Sequence, residues 1–222
     1  MAATGSRLGP LQDRILEILA DMEPRWTLLG GAALAGFHLD HRTTRDLDLF
    51  WRPMEELGRL IEDIEERLRL AGLTVDVIRR SQAFAQLRVA DDNDSVILDL
   101  VAEPSEPFTP PEEVQFGNAA IQIASRRELL ATKLCSLLHR SEIRDLMDVK
   151  ELLRTGSSLS QALADAPLVD SGFSALTLAW VLRSFEIIAL ATAAGISDVQ
   201  ASELETFRRK LTDQLLDVSR PD

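Results

Sequence analysis

Residues 28 to 51 read LLGGAALAGFHLDHRTTRDLDLFW, and this stretch decides how the chain is understood. Gly30 and Gly31 precede a short apolar run, and Asp46 and Asp48 then appear two residues apart within an apolar segment. Side chains alternate along a strand, so Asp46 and Asp48 project from one face while Leu47 and Leu49 turn to the other. Two carboxylates held side by side repel each other. A divalent cation between them relieves the repulsion, and an all-oxygen site suits Mg²⁺.

Taken singly, each part has a plain structural reading: Gly-Gly marks a turn, and D-x-D is common on solvated edge strands. In combination they predict more. A strand that ends in a glycine turn and opens a helix presents free backbone N–H groups, which bind phosphates.

Further acids and a lysine come later in the chain. The run SVILDLV, 95 to 101, places Asp99 on the strand face opposite Leu98 and Leu100. A carboxylate in such a strand needs a partner, either a metal or an arginine such as Arg88. The segment 133 to 153, KLCSLLHRSEIRDLMDVKELL, carries Lys133, Arg140, Arg144, Asp145 and Asp148. Lys133 lies beside the apolar stripe of Leu130, Leu134, Leu137 and Leu138, where its stem can pack while its ammonium reaches a triphosphate or merely snorkels to water. The spacings of Arg144, Asp145 and Asp148 also permit pairing within one helix.

The order strand, Gly-Gly, short helix, then Arg42, Thr44, Asp46, Leu47 and Asp48 resembles the AbiEii/AbiGii toxin family of nucleotidyltransferases, within the DNA polymerase β-like superfamily. The block from Lys133 to Leu153 is similar to that family's downstream signature. The resemblance implies an α+β (α/β) fold, a nucleotidyltransferase-like mixed β-sheet flanked by helices and followed by a C-terminal helical region. It implies Asp46, Asp48 and Asp99 as metal ligands and catalytic acids, with Lys133 and Asp145 as further catalytic residues. Gly30, Gly31, Arg42, Thr44, Lys133 and Arg144 are then the nucleotide-binding set. Asp148 is expected to brace Arg144 or Arg140. Many superfamily members have Gly-Ser where this chain has Gly30-Gly31, so backbone amides must replace a hydroxyl. The implied cofactor is Mg²⁺, with Mn²⁺ as a substitute, and a nucleoside triphosphate is the co-substrate. The implied acceptor is an RNA end, such as the 3′ end of tRNA, or a protein side chain, with a cognate antitoxin protein as partner.

Working outward, the helical spacing of Leu11, Ile15, Ile18, Leu19 and Met22 predicts an N-terminal helix closed by Pro24. A strand is expected over 26–29, a short helix over 31–39, the carboxylate strand over 45–51 and a helix over 55–71. Strands over 74–79, 84–89 and 95–101 and a hairpin over 114–123 follow. Helices are expected from Ser125, over 143–153, over 173–194 and over 198–218. This divides the chain into a nucleotidyltransferase core, 1–124, and a helical region, 125–222, that completes the active-site cleft.

The 222 residues, 45% hydrophobic, are enough for a real core. The single cysteine, Cys135, excludes an internal disulfide and fits a reducing cytoplasm. No apolar run reaches the ~20 residues of a membrane span, and MAATGSRLGPLQDR lacks the apolar segment of a leader. A net charge of −12 argues against non-specific binding to long nucleic acid, so an RNA acceptor would need a local basic patch. The same acidity suits a cationic small molecule, which keeps an aminoglycoside-type nucleotidyltransferase as an alternative. A non-catalytic nucleotide- or partner-binding protein is the third reading.

Overall fold

The structure is a computed structural model, and it describes residues 8–220. The first residues, read above for a leader, lie outside them. The chain divides into two compact units, one through Ser125 and one from Arg126 onward.

The first unit is built on a seven-stranded mixed sheet. Helix α1 (Pro10–Leu19) leads into strand β1 (Thr27–Leu29), whose end opens α2 (Gly30–Ala33). Strand β2 (Asp46–Trp51), helix α3 (Leu60–Leu70), and strands β3 (Thr74–Arg80), β4 (Phe84–Ala90) and β5 (Ser95–Ala102) follow, then the hairpin β6 (Glu112–Phe116) and β7 (Ala119–Ile123). The strand order is β3-β4-β5-β2-β1-β7-β6. Strands β2 and β5 run parallel at the centre, β1 and β7 form a second parallel pair, and the remaining neighbours are antiparallel.

Alternation decides the two faces. Leu47, Leu49, Trp51, Ala85, Leu87, Val89, Val96, Leu98 and Leu100 are buried, whereas Asp46, Asp48, Gln86, Ile97 and Asp99 are half-buried. One face is therefore core and the other carries the acids. Helices α1 and α3 pack on each other and against β5 and β3 through Leu11, Ile15, Leu16, Leu19, Ile61, Ile64 and Leu68. Two tryptophans tie the entry to β1, with Trp26 Nε1 donating to the Leu19 carbonyl at 2.8 Å and Trp51 Nε1 to the Pro24 carbonyl at 2.9 Å.

The second unit is helical: α4 (Arg126–His139), α5 (Ile143–Arg154), α6 (Leu159–Val169), α7 (Ala175–Arg183), α8 (Ile187–Ala193) and α9 (Asp198–Val218). No helix among the described residues is long and apolar enough to cross a membrane.

Three expected elements take a different form. The helix over 31–39 is one α-turn followed by a π-helical turn, Leu34–His38. The helix over 55–71 starts only at Leu60, after Gly58 at φ +52°. The apolar run over 173–194 is two helices bent by 72° at a break where Phe185 packs into the core. Trp180 and Ile188, on either side of that break, are exposed.

Candidate active site

Strand pairing places the acids in order. Asp48 on β2 and Asp99 on β5 are Cα partners in the parallel pair, so their side chains stand on the same face of adjacent strands. Neighbouring strands lie about 4.8 Å apart. Asp46 stands one pleat away on that face, opposite Ile97. On the far side of Asp99, Gln86 of β4 is its Cα partner, and Gln86 Nε2 donates to Asp99 Oδ1 at 2.9 Å. The arginine weighed as a partner for Asp99, Arg88, instead bonds Asp76 at 2.6 Å.

The glycine turn lies against the same row. Leu29 pairs with Asp48, and Gly30 follows it at φ +65°, a left-handed conformation that costs side-chain-bearing residues energy. A β-carbon at Gly30 would run into the Asp48 carboxylate. At Gly31 a β-carbon would lie 2.7 Å from Arg42 Nη2 and 3.2 Å from Thr44 Oγ1. Absent side chains thus let a backbone turn, an acid, a guanidinium and a hydroxyl meet. The structure brings together Gly30, Gly31, Arg42, Thr44, Asp48, Asp99 and Asp46, all named from the sequence.

Electrostatics mark Asp99 out. Burial pushes its proton affinity above the usual carboxylate value, and the Asp46 charge adds to the rise. The hydrogen bond from Gln86 and the Arg79 guanidinium pull it down. Neighbouring carboxylates on one sheet face could serve as donors to a hard cation. As placed, no three His, Cys, Asp or Glu side chains among the described residues are gathered closely enough to hold a metal by themselves. Mg²⁺ does not need such a cage, because it is commonly bound by one or two carboxylates, water and substrate phosphates. Asp48 and Asp99 fit that requirement in chemistry and register.

The remaining expected residues belong to the helical unit. Lys133, 5% exposed, places Nζ 2.7 Å from Asp145 Oδ1 and 2.8 Å from Asp148 Oδ2. Arg140 Nε donates to the other oxygen of Asp145 at 2.8 Å. Lys133 is therefore neither a surface lysine nor an outstretched one. Asp148 is paired with Lys133, and Arg144 is exposed. Linear reading missed Gln86, because only the pairing of β4 with β5 makes it a neighbour of Asp99.

Comparison with known proteins identifies the fold and the family. MenT4, a nucleotidyltransferase toxin from Mycobacterium tuberculosis H37Rv, superposes with a TM-score of 0.62 at 18% identity, over 93% of this chain and 82% of that one. JHP933 from Helicobacter pylori superposes with a TM-score of 0.52 at 20% identity, over 94% of this chain and 92% of that one. These likenesses establish the nucleotidyltransferase-like fold. No curated protein matches the sequence. The profile of the family described as "Nucleotidyl transferase AbiEii toxin, Type IV TA system" matches residues 14–219, nearly the whole chain, and this protein therefore belongs to the AbiEii family of toxin–antitoxin nucleotidyltransferases.

Proposed function

We propose that this nucleotidyltransferase moves a nucleoside monophosphate from a nucleoside triphosphate to the terminal hydroxyl of an RNA, the 3′ end of tRNA, in the cytoplasm, as a toxin countered by a cognate antitoxin. The observation that carries the reading is the register of Asp48 with Asp99, with Gly30 closed against Asp48. Asp46, Asp48 and Asp99 would hold Mg²⁺ or Mn²⁺. When bound, the cation would neutralise charge on the phosphates and the attacking oxygen.

The chain's own groups account for the rest. The Gly30-Gly31 amides, Arg42 and Thr44 would hold the β- and γ-phosphates, because they meet at the turn beside Asp48. The acceptor oxygen forms a bond to the α-phosphorus while the bond from that phosphorus to the pyrophosphate oxygen breaks. The hydroxyl proton passes to the Asp99 carboxylate, which Gln86 holds by Oδ1. Positioning and fixed charge supply the rate, with no covalent enzyme intermediate.

A second reading has one observation in its favour. The net charge of −12 would attract a cationic aminoglycoside as acceptor. Incubation of the purified protein with Mg²⁺, each of four α-labelled nucleoside triphosphates, and either total tRNA or kanamycin separates the two. Label is expected in tRNA, with pyrophosphate released and EDTA abolishing both. Asp48→Asn is expected to lower turnover on the order of 100-fold or more with the melting temperature retained. Full activity in that variant, or in EDTA, would remove Asp48 from the chemistry.

A further inference from the structure

Strand β3 carries one residue more than its partner β4 between two of their pairs. Val77 pairs with Leu87 and Arg79 with Gln86, so Ile78 is the extra residue of a β-bulge. Without the bulge, Ile78 would stand opposite Gln86, and Arg79 would turn to the buried face beside Ala85. The bulge instead sets Arg79 at the end of a row that crosses four strands: Arg79, Gln86, Asp99, Asp48. Bulges that re-aim a side chain are common beside active sites.

The neighbouring arginines differ from Arg79 in their commitments. Arg80 is paired with Glu62 and Arg88 with Asp76. The Arg79 side chain is exposed and makes no hydrogen bond or ion pair among the described residues, although Asp99 feels its charge. Its Cα lies two strands from Asp99, roughly 10 Å away, within reach of a group bound over that acid.

Direction follows from the chemistry of the transfer. The glycine turn, on the β1 side of Asp48, is the place for the departing pyrophosphate. An in-line displacement brings the nucleophile from the opposite side, which is the side of β5, β4 and β3. We propose that Arg79 is the acceptor contact of this site, binding the backbone phosphate next to the attacking hydroxyl of an RNA end. This rests on the nucleotidyl-transfer reading above and adds its acceptor side. A cation placed there repels an aminoglycoside and attracts a phosphodiester. In an acidic protein such a local charge carries the recognition that overall charge opposes.

Arg79→Ala and Arg79→Lys, compared with the unmodified protein, test the assignment with total tRNA as acceptor and a labelled nucleoside triphosphate. Arg79→Ala is expected to raise KM for tRNA about tenfold, leave KM for the triphosphate unchanged, and reduce the salt slope of tRNA binding by about one. Arg79→Lys is expected to recover most of the loss, since a point charge still meets a phosphate. An unchanged tRNA KM and salt slope in Arg79→Ala, or an equal rise in the triphosphate KM, overturns the proposal. Transfer to kanamycin and not to tRNA by the unmodified protein overturns the role of Arg79 while leaving nucleotidyl transfer intact. Absence of pyrophosphate release in every arm overturns both.

Discussion

The carboxylate of Asp48 fills the space that a β-carbon on Gly30 would need, and Gly30 holds a φ of +65° to leave it there. An acid on β2 and the turn after β1 are thus packed as one unit. A single methyl group at residue 30 must either displace the carboxylate or flatten the turn.

Gly30→Ala is therefore expected to lose activity on the order of 100-fold while destabilising the fold by about 1–3 kcal/mol, the range for a residue forced into a strained backbone region. Steady-state turnover and urea denaturation check this together. A stable and fully active variant would show that the turn has room to move.

Lys133 predicts a different balance. Its ammonium is the shared partner of two buried acids, Asp145 and Asp148. Removing one side of such a network leaves uncompensated charge, so Lys133→Met is expected to cost roughly 3–5 kcal/mol of stability. Chemical denaturation at neutral pH measures it. A loss below 1 kcal/mol with abolished turnover would instead identify the ammonium with phosphate binding.

Glu205 supplies a pH dependence. Hydrogen bonds from Arg208 and Arg209 hold its carboxyl at about 2, against an ordinary 4.5, and Arg208 Nη1 also donates to the Leu182 carbonyl at the end of α7. A depressed folded-state value means that the stabilisation is full above the ordinary carboxylate range and disappears as pH falls toward about 2. The side chain is 23% exposed, so the contribution is discounted to about 1 kcal/mol. Glu205→Gln is expected to lower stability by that amount at pH 7 and to flatten its decline below about pH 4.5, as read by thermal melts across pH.

Cys135 is expected to be inert. Burial, with the Asp170 charge adding to it, pushes its thiol up to about 12, so almost no thiolate exists at neutral pH. Iodoacetamide should leave the native protein unlabelled and label it in urea. Rapid native labelling would contradict the buried placement.

Much of the fold was legible in local pattern. The alternation of 46–51, 84–90 and 95–102 separates core from site face, because a strand's period of two is a property of the chain alone. The stripes of α1 and α3 are similarly local. The break between α7 and α8 was not, since an apolar run reads alike whether it forms one helix or two, and packing of Phe185 into the core is a tertiary contact.

By itself the sequence determined that two acids share a strand face, that a glycine turn precedes them, and that a third acid lies on a later strand; these follow from residue order and backbone periodicity. Only the tertiary structure decided that Asp99 stands beside Asp48, that Gln86 holds it, and that a bulge at Ile78 turns Arg79 into the same row. It also enclosed Lys133 between two carboxylates. Such relations arise from strand register and helix packing, which join residues far apart in the chain through contacts that no local pattern encodes.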